Sequence, residues 1–95
     1  MQLFPWQTDL LAALRSAIAD KPDRQVKYKS EWLGYLPFGM YYWVEVGGTD
    51  VSALFPRDWS FSDLQCLAEA GCLTQISEWK NPTDDYDIEI IFVVR

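Results

Sequence analysis

Ninety-five residues, eight of them basic and fourteen acidic, carry a formal net charge of −6 and no histidine. A chain of that length is expected to form one small domain over residues 1–95, with a modest core, because it buries only about two thirds of its unfolded surface. The apolar share of 49% and charged share of 23% exclude intrinsic disorder, collagen-like repeats and low complexity for the chain as a whole.

The first predicted element is a helix over residues 9–20, with Thr8 as N-cap and Asp9 at the positive end of the dipole. Leu10, Leu11, Leu14, Ala17 and Ile18 fall on one face, Arg15, Ser16 and Ala19 face away, and Pro22 ends the run. Residues 25–30 alternate Val26 and Tyr28 against Lys27 and Lys29 as a strand, which 31–35 continues or follows with another. Leu36-Pro37-Phe38-Gly39 suits a tight turn. Residues 40–46, Met-Tyr-Tyr-Trp-Val-Glu-Val, form the strongest strand by composition. Gly47-Gly48 signals a hairpin, Thr49-Asp50 lengthening its loop, and 51–55 return as the partner strand up to Pro56.

A second helix is predicted over 61–70, with Ser60 as cap, Asp63 three residues later, and Gly71 at the C-terminal left-handed position. Phe61, Leu64, Leu67 and Ala68 form its apolar face. Strands over 72–79 and 86–94 close the chain around a polar loop, 80–85. Tyr86, Ile88, Ile90, Phe92 and Val94 share one face, and Ile91 and Val93 on the other imply a strand that is central or covered on both sides. The order of elements predicts an α+β fold: two amphipathic helices packed on a mainly antiparallel sheet, ending in a helix–β-hairpin unit.

Catalysis finds little support. Without histidine, Ser-His-Asp and Cys-His pairs are excluded. Neither the phosphate-cradling nor the dinucleotide glycine motif is present, and the acidic run 84–87 lacks the calcium-loop pattern. Cys66 and Cys72 are too few for a zinc site and read as reduced, partly buried thiols. No enzyme activity, cofactor or metal is expected. The longest apolar run, 90–94, falls far short of the roughly 20 residues that cross a membrane, and residues 1–6 lack a signal peptide's basic start and apolar stretch. A cytoplasmic protein without a membrane partner is expected.

Within Asp63–Leu73 the pattern Leu-x-x-Leu-x-x-x-Gly-x-Leu, followed by a hairpin, resembles the third helix and wing of winged-helix domains. That resemblance covers the last third of the chain. It implies a helix entering the major groove and a wing on the backbone. The outer positions here are Ser62, Gln65, Cys66 and Glu69, and the wing carries Asp84, Asp85, Asp87 and Glu89 against Lys80, a set that repels phosphates. Four cations, Lys21, Arg24, Lys27 and Lys29, are interleaved with Tyr28 and Trp32 and are the candidate nucleic-acid-binding residues; as a solvated strand face they have a simpler explanation. The net acidity disfavours nucleic acid.

The most unusual feature is the aromatic content, 16% with five each of Trp, Tyr and Phe. In 40–46, Met40, Tyr42, Val44 and Val46 face the core, and Tyr41 and Trp43 the other side. Trp32 and Tyr35 on the neighbouring segment are expected beside them. Either this second face is covered by Trp6 or a helix, or Trp32, Tyr35, Tyr41 and Trp43 bind a protein partner, a second copy of the chain included. The expected function is a small interaction, adaptor or regulatory protein, with a winged-helix-type nucleic-acid-binding regulator as the alternative.

Overall fold

Pro5 stands at the first helical position, where a missing N–H costs nothing, and it opens helix α1, Pro5–Ala17, in the computed structural model, which describes residues 3–32 and 40–95. The helix starts before the expected residue 9, and Thr8 lies inside it. Gln7 supplies the reason. Its Oε1 accepts the Phe4 N–H at 3.0 Å, so the side chain reaches back to satisfy a free donor at the helix end.

Strands β1 (Gln25–Trp32), β2 (Met40–Val46), β3 (Thr49–Asp50), β4 (Leu73–Asn81) and β5 (Asp84–Val94), with helix α2 (Phe61–Glu69), complete the described elements. The sheet has the order β3-β2-β1-β5-β4, every neighbouring pair antiparallel. The α+β architecture expected from the element order is the one observed. The turn proposed for 36–39 lies outside the described residues.

Gly47 and Gly48 both have positive φ, 59° and 84°, which a two-residue hairpin turn of primed type requires. The strand expected over 51–55 does not form. Only Thr49–Asp50 pairs with β2, and Ser52–Leu54 is a 3-10 turn. Asp50 Oδ1 accepts the Ser52 N–H at 2.9 Å, turning the chain away, while Ser52 Oγ accepts the Val44 N–H at 2.8 Å in place of a strand. Conversely, β4 and β5 extend into the expected loop and leave only Pro82 and Thr83 as the turn. Asn81 Oδ1 holds that turn by accepting from Thr83 N–H and Oγ1, both at 2.9 Å.

Both helices pack on one face of the sheet. Leu10 and Leu14 of α1 and Leu64 and Leu67 of α2 are fully buried against Val26, Val44, Phe92 and Val94. Tyr86, Ile88, Ile90, Phe92 and Val94 alternate toward this side as expected, although Tyr86 is exposed. Gly71 follows α2 at φ 83°, and Cys66 and Cys72 are free and half-buried. Among the described residues, no helix is long and apolar enough to cross a membrane.

The N-termini of the two helices are tied by Asp63, itself buried. Its Oδ2 accepts the Ser60 N–H at 3.1 Å, the acidic reach-back predicted from sequence. Its Oδ1 accepts from Trp6 Nε1 at 3.1 Å and Gln7 Nε2 at 3.0 Å. Replacing Asp63 by Ala strands three donors and should lower unfolding free energy by roughly 2–3 kcal/mol, measured by urea denaturation. Asn, which places an amide N–H₂ against one of these donors, should recover less than half of the loss.

Candidate functional site

Strand alternation sends Val26, Tyr28 and Ser30 toward the helices and Lys27, Lys29 and Glu31 to the opposite face. On β2 the same alternation buries Val44 and Val46 and turns Tyr41, Trp43 and Glu45 to that opposite face. Among the described residues no helix packs there. Lys27, Lys29, Tyr41, Trp43, Glu45 and Glu89 on this face are half-buried, and Ser77 and Trp79 are exposed.

The register defines the pattern. Lys29 lies opposite Trp43 on one side and Glu89 on the other, and Glu89 lies opposite Trp79. One row across four strands therefore reads Trp43, Lys29, Glu89, Trp79. Lys29 Nζ is 3.3 Å from Glu89 Oε1 and 5.6 Å from the Trp43 ring centroid. Trp43 Nε1 donates to Glu45 Oε2 at 2.7 Å, which fixes the indole on its own strand. The adjoining row is Glu45, Lys27, Ile91, Ser77. On the other side Tyr41 pairs with Glu31, and Asn81 Nδ2 donates to Asp87 Oδ2 at 3.1 Å. Trp79, 46% exposed, stands at the sheet's outer edge.

The four sequence-derived aromatics separate. Tyr41 and Trp43 share this face. Trp32 does not join them, because β1 runs unbroken to residue 32 and its alternation puts Trp32 on the side of Tyr28 and Ser30. Its ring sits 5.5 Å from that of Tyr86, and both side chains are exposed. Tyr35 lies outside the described residues. Trp6 does not cover the face either; it is stacked on Phe4 beside Asp63. Trp79 is the member that sequence reasoning missed. The alternation Glu89, Ile91, Val93 on β5 marks the face, but only the hairpin register brings Trp79 onto it.

The four cations also separate. Lys27 and Lys29 belong to the sheet face. Lys21 and Arg24 line a groove of about 420 Å³ with Arg15 beyond the end of α1. There Arg24 Nε donates to the Val94 carbonyl at 2.7 Å and Arg15 Nε to the Arg95 main-chain oxygen at 3.2 Å. A larger cleft of about 530 Å³ lies at the start of α2 between Trp6, Arg57, Asp58, Ser60 and Ser62. Its one buried carboxylate, Asp63, is spent on both oxygens in holding the helix ends.

No protein-family model matches the chain, and comparison with curated proteins and with solved structures gives no match.

Two groups at the sheet centre hold their protons more tightly than usual. Burial raises the Tyr28 pKa, and neighbouring Tyr42 adds to the rise. Burial alone would lower that of Lys29, but the Glu89 hydrogen bond and the charges of Glu45, Glu89 and Glu31 outweigh it and raise the value. Both groups therefore favour the folded state fully below their unfolded values, about 10 for each, and that contribution is lost as pH rises through the folded values. Unfolding free energy should be level from neutral pH to about pH 9 and fall above about pH 10. In Tyr28→Phe, followed by urea titration across that range, the fall should be shallower.

Proposed function

We propose that this protein is a small non-enzymatic interaction or adaptor protein that binds another protein through the helix-free sheet face around Tyr41 and Trp43. The observation that carries this reading is the row Trp43, Lys29, Glu89, Trp79, two indoles flanking an ion pair on a face that no described helix covers. Tyr and Trp combine large apolar area with a polar tip, and interfaces are enriched in them for that reason. Trp43 is already held by Glu45, so less side-chain freedom is lost when a partner docks. The partner-binding set is Tyr41 and Trp43, to which the register adds Trp79. A reducing, cytoplasmic setting suits two unpaired thiols.

The winged-helix-type reading rests on α2 passing through Gly71 into the β4–β5 hairpin. It has the weaker support. Ser62, Gln65 and Glu69 are the exposed positions of α2, and the four candidate cations fall into two separate places, Lys27 and Lys29 on the sheet face and Lys21 and Arg24 beyond α1. Random duplex DNA should bind no tighter than about 10 µM at physiological salt, measured by fluorescence anisotropy. Submicromolar binding with a steep salt slope, lost in Lys27→Glu and Lys29→Glu, would reverse this preference.

Trp43→Ala tests the main reading. At an interface hot spot it costs about 2 kcal/mol or more of binding; for a core tryptophan it costs about 3–5 kcal/mol of stability. The expected result is an intact fold and loss of a protein partner that wild type retains from its native cell in the presence of nuclease. A core-sized loss of stability with the partner still retained would overturn the proposal.

A further inference from the structure

We infer that the occupant of this face is a second copy of the same chain, docked sheet on sheet about a two-fold axis that runs parallel to the strands between β1 and β5. The inference rests on the reading above and goes further by fixing partner and register. A closed homodimer requires a surface that is complementary to itself. The row Trp43, Lys29, Glu89, Trp79 has that property about its own centre. Rotation about the stated axis lays β1 over the partner's β5 and β2 over the partner's β4. Lys29 then faces the partner's Glu89, and Glu89 the partner's Lys29. Trp43 and Trp79 each face the other's counterpart.

The cis ion pair, 3.3 Å long, thus presents a positive and a negative charge side by side, and the copy places opposite charge over each. A two-fold axis across the strands would instead set Lys29 on the partner's Lys29, which excludes that arrangement electrostatically. In the adjoining row, the Lys27 stem lies over the partner's Ile91, and Glu45 over the partner's Ser77. On the far side Glu31 approaches the partner's Asp87. That like-charge contact lies at the rim, where water and salt screen it, and Asp87 is already engaged by Asn81.

Aligned sheet-on-sheet packing at about 10 Å separation accommodates such side chains. Four strands about 4.8 Å apart and three rows about 6.8 Å apart give roughly 400 Å² of flat sheet. Side-chain relief brings this toward, and not beyond, the roughly 800 Å² per partner of specific interfaces. The dimer is accordingly weak and concentration-dependent.

Sedimentation equilibrium of the full chain, at about 0.15 M salt and up to about 200 µM protein, should show a reversible dimer, as small interfaces give micromolar affinities. Lys29→Glu and Glu89→Lys should each weaken it about tenfold or more, by setting like charges across the interface. Mixing these two variants should restore it, because one protomer then carries carboxylates at both positions and meets ammonium groups at both positions of the other. Thermal unfolding establishes that each variant folds. Should a reversal fail to fold, Trp79→Ala replaces it, since Trp79 is exposed in the monomer and its loss should abolish dimerisation. A wild-type chain that stays monomeric overturns the inference. If Trp43→Ala is then stable and still loses a different protein, the reading of the face survives. A dimer unchanged by either reversal, or by Trp79→Ala where that is used, overturns the inferred geometry.

Discussion

Two helices of 13 and 9 residues cover one face of a five-stranded sheet, and the rest of the structure answers to that limit. At 1.5 Å per residue they are about 20 Å and 14 Å long, enough for one layer. Every fully buried side chain among the described residues lies between them and the sheet or on the sheet face they cover. No described helix covers the opposite face, and there the described side chains must stay compatible with water by their own chemistry. They do so by alternating ions and aromatics. Lys29 lies over Trp43 and pairs with Glu89, and Trp43 satisfies its indole N–H on Glu45. A continuous aliphatic face there would be a large exposed apolar patch.

The helical layer is in turn set by polar contacts at its edge. Asp63 gathers donors from α1, the α2 cap and an indole, so the two N-termini converge on one carboxylate. Each helix has free N–H groups at that end, and a shared anion answers both dipoles at once. Leu10, Leu14, Leu64 and Leu67 are thereby aimed at the same patch of sheet. A layer this thin gains little from further apolar contacts between its helices, so the polar tie carries much of their mutual orientation.

The parts legible in the sequence are those fixed locally: the β2 composition, the two-glycine hairpin, the α2 caps, and the alternation along β5 and at Tyr41 and Trp43. What was hidden depends on contacts distant in sequence. Gln7 starts α1 early while its amide bonds a carboxylate 56 residues away. Residues 51–55 have strand composition, but Asp50 and Ser52 turn the chain off the sheet edge first. Trp32 was legible in principle, since an unbroken alternation from Val26 places it with Tyr28; leaving open whether 31–35 continues that strand or begins another concealed this. Trp79 was not legible, because the β-bulge between Gln75 and Ser77 shifts the register that brings it opposite Glu89.

The sheet edges bear on the use proposed for this face. β3 is only two residues long, and β4 carries both the bulge and the charges of Glu78 and Lys80. Short, bulged and charged edges resist the addition of further strands. With one face under the helices and both edges blunted, backbone pairing is a poor route to association. Side-chain packing on the remaining face is the better one. There the strands hold the indoles at fixed spacing, and no backbone donor has to be uncovered for a partner to dock. On the proposed reading this separates sheet integrity from recognition: the hydrogen-bonded ladder stays within the chain, while the row of half-buried Trp43, Lys29 and Glu89 with exposed Trp79 offers both apolar area and a charge order that distinguishes one orientation of a partner from another.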